Sequence, residues 1–467
     1  MNRVNAYLRK NKTTINSMVP WLLMVYFIIN CLPYLFSRNY ILNSIFSNSI
    51  ASYVLRFGFL FVLCFYGLIL ILVNNLKLKY PLIVVLSVLI ILSFISNFTS
   101  PDNIISYSMM FAGKVKKYEW KLGVYDKLLD SFRFTAGCVL FFFLSTVFPY
   151  SFKKKEEFSY VIVPAIIIGF VGIMYTYSVE LRVLIAVIKN EASPESVRSI
   201  FHSKNAYGIF LFEGAAASTY IFFTDKRWFL RICIVLLPVF FVTAYFINCR
   251  LAAVCILVLF ILSIAYTIIF YFKRKPIISF ALLGIVLLAS LLIVLVFSID
   301  SLHSTGILSS LYNNVISLFT NFNISSFIGR VGEWGIVPNI TNGIYRWIGF
   351  SGAVGYSVVY AYTSLNGEAF MPVSDLHNAF VDFYAYHGII GCSLLGLIYF
   401  GIIYLLYRLY RVNKLQAVLI SLLFFVSILF GMAETYTLFL SISANTFVLN
   451  FLLVVPCVFF LNQRGAA

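Results

Sequence analysis

The amino-acid sequence predicts an all-α, polytopic integral membrane protein of about 12 transmembrane helices with one large external loop, and three observations carry that expectation. Of the 467 residues 61% are hydrophobic and 11% are charged, where soluble chains carry about a quarter charged residues. The apolar residues fall in runs of about 20, the length that crosses a bilayer as a helix. Polar residues collect in one long stretch, 299–377, and in short connections elsewhere. The whole chain, 1–467, reads as a single membrane domain, with 299–377 as an external loop between the ninth and tenth spans.

Taken in order, the spans are expected at 18–36, 51–74, 80–98, 129–150, 158–178, 206–224, 228–248, 251–272, 277–298, 388–409, 415–433 and 437–461. The first run is too long for the core of a signal peptide and lacks a small-residue cleavage site, so it counts as a span. Orientation follows from the basic residues. The larger share of the 34 Lys and Arg lies in short connections on one side, at 1–17, 75–79, 151–157, 225–227, 273–276, 410–414 and the tail. Positive charge concentrates inside, which predicts two cytoplasmic termini and an external 299–377. The net charge of +17 is thereby explained by topology, and no nucleic-acid partner is expected; the lipid bilayer is.

On the outer side, 99–128 breaks the rule locally with Lys114, Lys116, Lys117, Lys121 and Lys127, which attraction to anionic headgroups explains. The eight cysteines lie within apolar runs or at their edges, the pattern of small hydrophobes rather than of a disulfide framework. Inside the large loop, Leu308, Leu311, Tyr312, Val315, Ile316, Phe319 and Phe322 recur at helical spacing opposite polar residues. They predict an uncharged amphipathic helix, suited to the outer leaflet or to packing within the loop.

The chain has no GxxxxGK[ST], no HExxH and no paired-aspartate DxD, so chemistry at the outer face requires a donor that is already activated. The candidate site is cationic. Arg250, in the turn Asn248-Cys249-Arg250, and Arg330, in the large loop, carry planar forks suited to phosphate oxygens. The plain alternatives are snorkelling to headgroups for Arg250 and an i,i+3 pair with Glu333 for Arg330. His377 follows Ser374-Asp375, either of which can cap a helix beginning at Leu376. A histidine in a first helical turn is disfavoured as imidazolium and remains a neutral base; the alternative is a solvated loop histidine. His202, His303 and His387 share that side of the membrane. Glu213, mid-span, is expected either to pair with a buried arginine or to be functional, because an isolated charge there costs about 2.5–3.5 kcal/mol or more. Glu434 lies at the outer end of a span. Arg56 and Arg133 lie about five residues inside the outer ends of their spans, where they either face the interior beside Arg250 and Arg330 or snorkel to lipid.

These residues resemble a known family, the bacterial O-antigen ligase and polymerase membrane proteins. The resemblance rests on Asn248-Cys249-Arg250-Leu251-Ala252-Ala253, on Arg330 followed by Trp334, on Trp347-Ile348-Gly349-Phe350-Ser351-Gly352, and on His377-Asn378 leading to Gly388-Ile389-Ile390-Gly391. His202-Ser203-Lys204-Asn205-Ala206-Tyr207-Gly208 looks like the Asn-containing start of a middle span in that family. One departure is Leu251, where many members carry Gly or Thr after a Ser-Arg pair.

The resemblance implies metal-independent, cofactor-free glycosyl transfer at the outer face of the bacterial plasma (inner) membrane. The donor would be a polyprenyl-diphosphate-linked glycan and the acceptor a glycan hydroxyl, with a flippase and a chain-length regulator as partners. His377 would be the base and Arg250 and Arg330 the diphosphate clamp, supported by Arg56, Arg133, Asn205, Glu213 and Asn378. Polymerase is the preferred expectation. The alternatives are a ligase that moves glycan to the lipid A core and, from another class, a transporter or flippase for lipid-linked sugars.

Overall fold

A computed structural model describes residues 10–33, 35, 50–76, 80–100, 106–111, 114–119, 123–189, 191–193, 196–201, 203–267, 334–335, 337, 341, 343–350, 378–432, 434 and 439–465. It is an all-α polytopic membrane protein. Ten described helices are long and apolar enough to cross a membrane, and they coincide with ten of the expected spans. An eleventh, Arg250–Tyr266, is described over 17 residues, and the expected span at 277–298 lies outside the described residues, as does the amphipathic helix expected around 308–322.

The helices are α1 (Val19–Cys31), α2 (Ile50–Asn74), α3 (Tyr80–Thr99), α4 (Val124–Thr146), α5 (Phe158–Ser178), α6 (Leu181–Ile188), α7 (Lys204–Thr224), α8 (Leu236–Phe246), α9 (Arg250–Tyr266), α10 (Ala379–Val412), α11 (Lys414–Gly431) and α12 (Ala444–Gly465). Between α3 and α4 the chain forms an antiparallel hairpin, β1 (Ser106–Phe111) and β2 (Lys114–Glu119), with Ser106 opposite Glu119 and Phe111 opposite Lys114. The lysines read as a headgroup-attracting loop thus include three on a strand.

The post of the bundle is α7, buried continuously from Ala206 to Ile221. Ser203 caps it, accepting the Ala206 N–H at 3.1 Å, as Ser does where the first amides lack partners. Its small residues let neighbours approach closely, which is how helices associate where lipid removes the hydrophobic drive. A Cβ at Gly208 would overlap Cys249 Sγ, and one at Gly214 would stand 3.0 Å from the Phe240 ring. By contrast α2 and α3 keep Phe61, Leu68, Leu72, Val84 and Ile91 exposed, the surface that faces lipid in a span.

The largest departures from the expected limits are at the starts of α10 and α12. α10 begins at Ala379 rather than at 388, because the Asn378 side chain accepts from Phe380 N and Val381 N and starts the helix there. α12 begins at Ala444 rather than at 437. The preceding 439–443 is irregular yet packed: Phe439 has φ +75°, Phe439 and Leu440 are buried, and the Asn450 side chain accepts the Phe439 N–H at 2.9 Å.

Call the end where α10 starts the loop face and the opposite end the basic face. The basic face is cross-linked around Arg227. Its Nε and Nη2 donate to both Asp225 carboxylate oxygens at 3.0 and 2.7 Å, and Nη2 also donates to Glu156 O and to Ser159 Oγ. Arg231 Nε donates to Asp225 O at 2.6 Å, and the Arg227 guanidinium lies over Tyr160, which stacks on Trp21. Burial pushes the Asp225 carboxyl up, but the hydrogen bonds and charge of Arg227 outweigh it and hold Asp225 below the usual carboxylate range.

Arg227→Ala is therefore expected to cost about 1.5–3 kcal/mol at neutral pH, the scale of hydrogen bonds to charged groups. A carboxyl held down on folding contributes stability above its unfolded value, about 3.9, and loses it as pH falls through the folded value. The melting-temperature gap between wild type and variant in detergent should be full at pH 7 and shrink below about pH 4. A gap that does not change with pH would show that Asp225 is not its source.

Candidate functional site

At the loop face three helix ends converge: the last turns of α3, the first of α4 and the first of α10. The end of α3 turns polar after an apolar span, and Ser93, Ser96, Asn97 and Ser100 are buried there. Asn97 Nδ2 donates to Asp130 Oδ2 at 3.1 Å and to Ser131 Oγ at 2.6 Å. Lys127, 2% exposed, donates from Nζ to Ser100 O at 2.5 Å. Lys127, Ser131 and Phe134 follow at i, i+4 and i+7, so they share one face of α4. The Phe134 ring carries that face onto α10, with its centroid 4.3 Å from the His387 ring and 6.2 Å from Phe383.

On α10, Asp382 is 1% and His387 6% exposed. His387 is flanked by Phe134 and by Phe383 at 4.5 Å, and its Nδ1 has no hydrogen-bond partner among the described residues. The helix breaks at the next residue, Gly388, at φ 61° and ψ −164°. Into this break fits the loop segment 345–350. Gly349 has φ +77°; a Cβ there would overlap His387 N and the Tyr386 carbonyl, and one at Gly388 would overlap the Trp347 carbonyl. Two glycines are needed because both positions combine positive φ with backbone-to-backbone contact.

Polar pairing then closes the latch. Phe350 N donates to Ala385 O at 2.6 Å, Ser96 Oγ lies 3.0 Å from both Gly349 O and Tyr386 O, and Tyr345 OH donates to Thr99 O at 2.9 Å. Val337 and Ala385 pack with Trp334, Tyr384 and Tyr386 beside it. The exposed Arg346 sits on the latch itself.

Arg330 and His377 lie outside the described residues, with His202 and His303. Ser374, Asp375 and Leu376, where a capped helix was expected, also lie outside the described residues; α10 starts after Asn378, which is extended at φ −154° and ψ 111° and is itself the cap. His377 precedes that cap, so the first turn of α10 does not contain it. Asn378 has a structural duty as that cap. Arg250 is exposed at the start of α9, its Nε on Asn248 Oδ1 at 2.9 Å, in a turn that packs toward α7 through Cys249. No described contact joins it to the cluster at α3, α4 and α10.

Asn205 is half-buried in the first turn of α7, and Arg56 is half-buried on α2. Arg133 is exposed rather than turned to the interior. Glu213 is fully buried, and neither carboxylate oxygen has a hydrogen-bond partner among the described residues, so the expected pairing with an arginine is not made.

Sequence reasoning took Lys127 for a headgroup-attracting lysine, passed over Asp130 and Asp382, and left His387 among the other histidines of the outer side. The available signal was Lys127 and Ser131 at i and i+4, two polar residues on one face at the head of an apolar span. Chemically, the cluster offers a buried ammonium, carboxylates and an imidazole at the bundle end where the polar loop docks. Among the described residues no group of three His, Cys, Asp or Glu is placed to hold a metal ion.

Gly349→Ala should lift the latch, since a positive φ costs a non-glycine residue about 1–2 kcal/mol and the methyl would meet His387 backbone. The expected outcome is faster proteolysis within 334–350 in detergent, with helix content unchanged; wild-type cleavage rates would show that the latch is not held by this contact. In comparisons with known proteins, no family model and no curated sequence matches the chain.

Proposed function

We propose that the chain is a glycosyltransferase of the bacterial inner membrane that polymerises polyprenyl-diphosphate-linked repeat units on the loop face, which the charge bias assigns to the outside. The observation that carries the reading is the buried Lys127, Asp382 and His387 at helix ends under a docked loop segment, in a chain whose motifs resemble the O-antigen ligase and polymerase proteins. An acceptor hydroxyl attacks the anomeric carbon, the sugar–phosphate bond breaks, the diphosphate leaves on its lipid and the hydroxyl proton passes to a base. Cations stabilise the departing charge; Arg250, Arg330 and Arg346 are the arginines proposed for it. Arg56 and Asn205 are supporting candidates.

For the base there are two histidines. His377 keeps the position that the resemblance implies, and His387 brings a buried imidazole with an open Nδ1. Transfer of lipid-linked glycan to the lipid A core uses the same chemistry with another acceptor. Transport of lipid-linked sugars is a second reading, favoured by the broken backbone at Gly388 and at 439–443, since transporters build sites from interrupted helices.

The surface glycan of cells lacking the protein separates these. Single repeats on the lipid A core indicate the polymerase, long chains held on the carrier a ligase, and repeats trapped in the inner leaflet a flippase. In cells expressing variants at native levels, loss of the base should cut transfer by about a hundred- to ten-thousand-fold. His377→Ala is expected to show that loss; if polymer length is unchanged and His387→Ala abolishes it instead, the base is His387, and normal polymer in both sinks histidine catalysis.

A further inference from the structure

Away from the loop face, α12 starts in the middle of the bundle. Its first turn lies at mid-depth: Phe447 packs on Tyr26 and Phe27, well inside α1, while Phe451 already meets Phe152 and Phe158 at the basic face. The segment 439–443 before it is equally deep. Phe439 packs on Phe141, Tyr399 and Phe424, each mid-helix, and a Cβ at Gly137 would overlap the Leu440 carbonyl. Chain at this level without helix needs its polar groups met from within the protein. Asn450 takes the Phe439 N–H, Tyr26 OH donates to Ile442 O at 3.4 Å, and Thr446 N and Oγ1 close on Ser443 O. A helix start, the positive end of a dipole, is thus held halfway through the bundle.

Facing it is Glu213, in the middle of α7, with no accessible surface and both carboxyl oxygens without a hydrogen-bond partner among the described residues. The Val448 N–H of α12 faces the carboxyl, and Cys31 on α1 is the ionisable neighbour. Of the ionisable groups on the helices around α7, Cys249 on α9 lies beside Gly208, Tyr177 on α5 beside Thr243 of α8, and Cys457 on α12 beside Tyr220, while Cys255 on α9 and Tyr26 on α1 are buried neutral side chains nearer its level. A buried carboxylate with no cation beside it is too costly to persist, and such groups take up a proton instead.

We propose that Glu213 and the start of α12 form an exchangeable proton-binding site at mid-depth. Glu213 carries the proton in the closed bundle and releases it to water when segment 439–443 moves, at which point the N-terminal end of α12 stabilises the carboxylate. The site lies apart from the loop-face cluster and does not depend on the glycosyl-transfer reading.

Infrared difference spectroscopy of the full chain in detergent, with no glycan present, tests it. The carbonyl stretch of a protonated carboxylic acid is expected in wild type at neutral pH, lost in Glu213→Gln, and shifted down on transfer to D2O. Gly137→Ala, which displaces segment 439–443, should speed that shift. As a check that needs no variant at Glu213, a hydrophobic carbodiimide should add to the wild-type carboxyl and appear by mass spectrometry on the peptide bearing Glu213. Loss of a carboxylate band instead in Glu213→Gln, an acid band that never exchanges, or a wild-type Glu213 peptide that stays unlabelled would each overturn the proposal.

Discussion

Every backbone amide and carbonyl at bilayer depth has to find its partner inside the protein, and among the described residues the two breaks in helix lie where side chains meet that demand. Ser96 answers the carbonyls exposed where α10 breaks at Gly388 and Gly349 approaches. Asn450 and Tyr26 do the same for segment 439–443. Both breaks are also sites of close backbone contact, made possible by Gly349 and Gly388 in one case and by Gly137 in the other. Helix elsewhere is the default because it satisfies its own backbone.

The two faces of the bundle put their charged groups to different use. At the basic face Arg227 spends its fork on Asp225 and ties together the connections before α5 and after α7, with Lys226 3.9 Å from Glu156. That arrangement is a clasp. At the loop face a lysine, carboxylates and a histidine are drawn into the helix ends, and the His387 Nδ1 is left with no hydrogen-bond partner among the described residues. An unmet buried group costs about 1–3 kcal/mol, a cost that structural packing alone gives no reason to keep. Polar groups held in this way are the common mark of a site that handles protons or ligands.

Much of the architecture was legible from composition and run length. Spans such as 80–98 and 415–433 match α3 and α11 nearly residue for residue, because an apolar run bounded by charge has one way to satisfy its backbone in lipid. The limits that shifted did so for reasons invisible in hydropathy. Asn378 started α10 early as a cap, whereas Phe439 to Ser443 are apolar or small enough to read as helix but are held out of it by the Asn450 side chain eleven residues on. The hairpin at 106–119 was missed because lysine-rich sequence signals surface rather than strand.

The candidate site divides along the same line. By itself the sequence determined which chemistry is on hand: few charges, hence each one conspicuous, a basic bias between faces, and glycines at 349 and 388 that had no apolar role. What only the tertiary structure decided is which of those groups meet. Lys127 and His387 are 260 positions apart and are linked through Phe134 because α4 lies against α10, while Arg250, equally conspicuous in sequence, is carried to another turn. Glu213 and Val448 likewise face one another only because α12 starts halfway down the bundle. Hydropathy places a residue along a helix axis, but the rotation of each helix and the pairing of neighbours come from side-chain packing between segments remote in the chain, which no local pattern encodes.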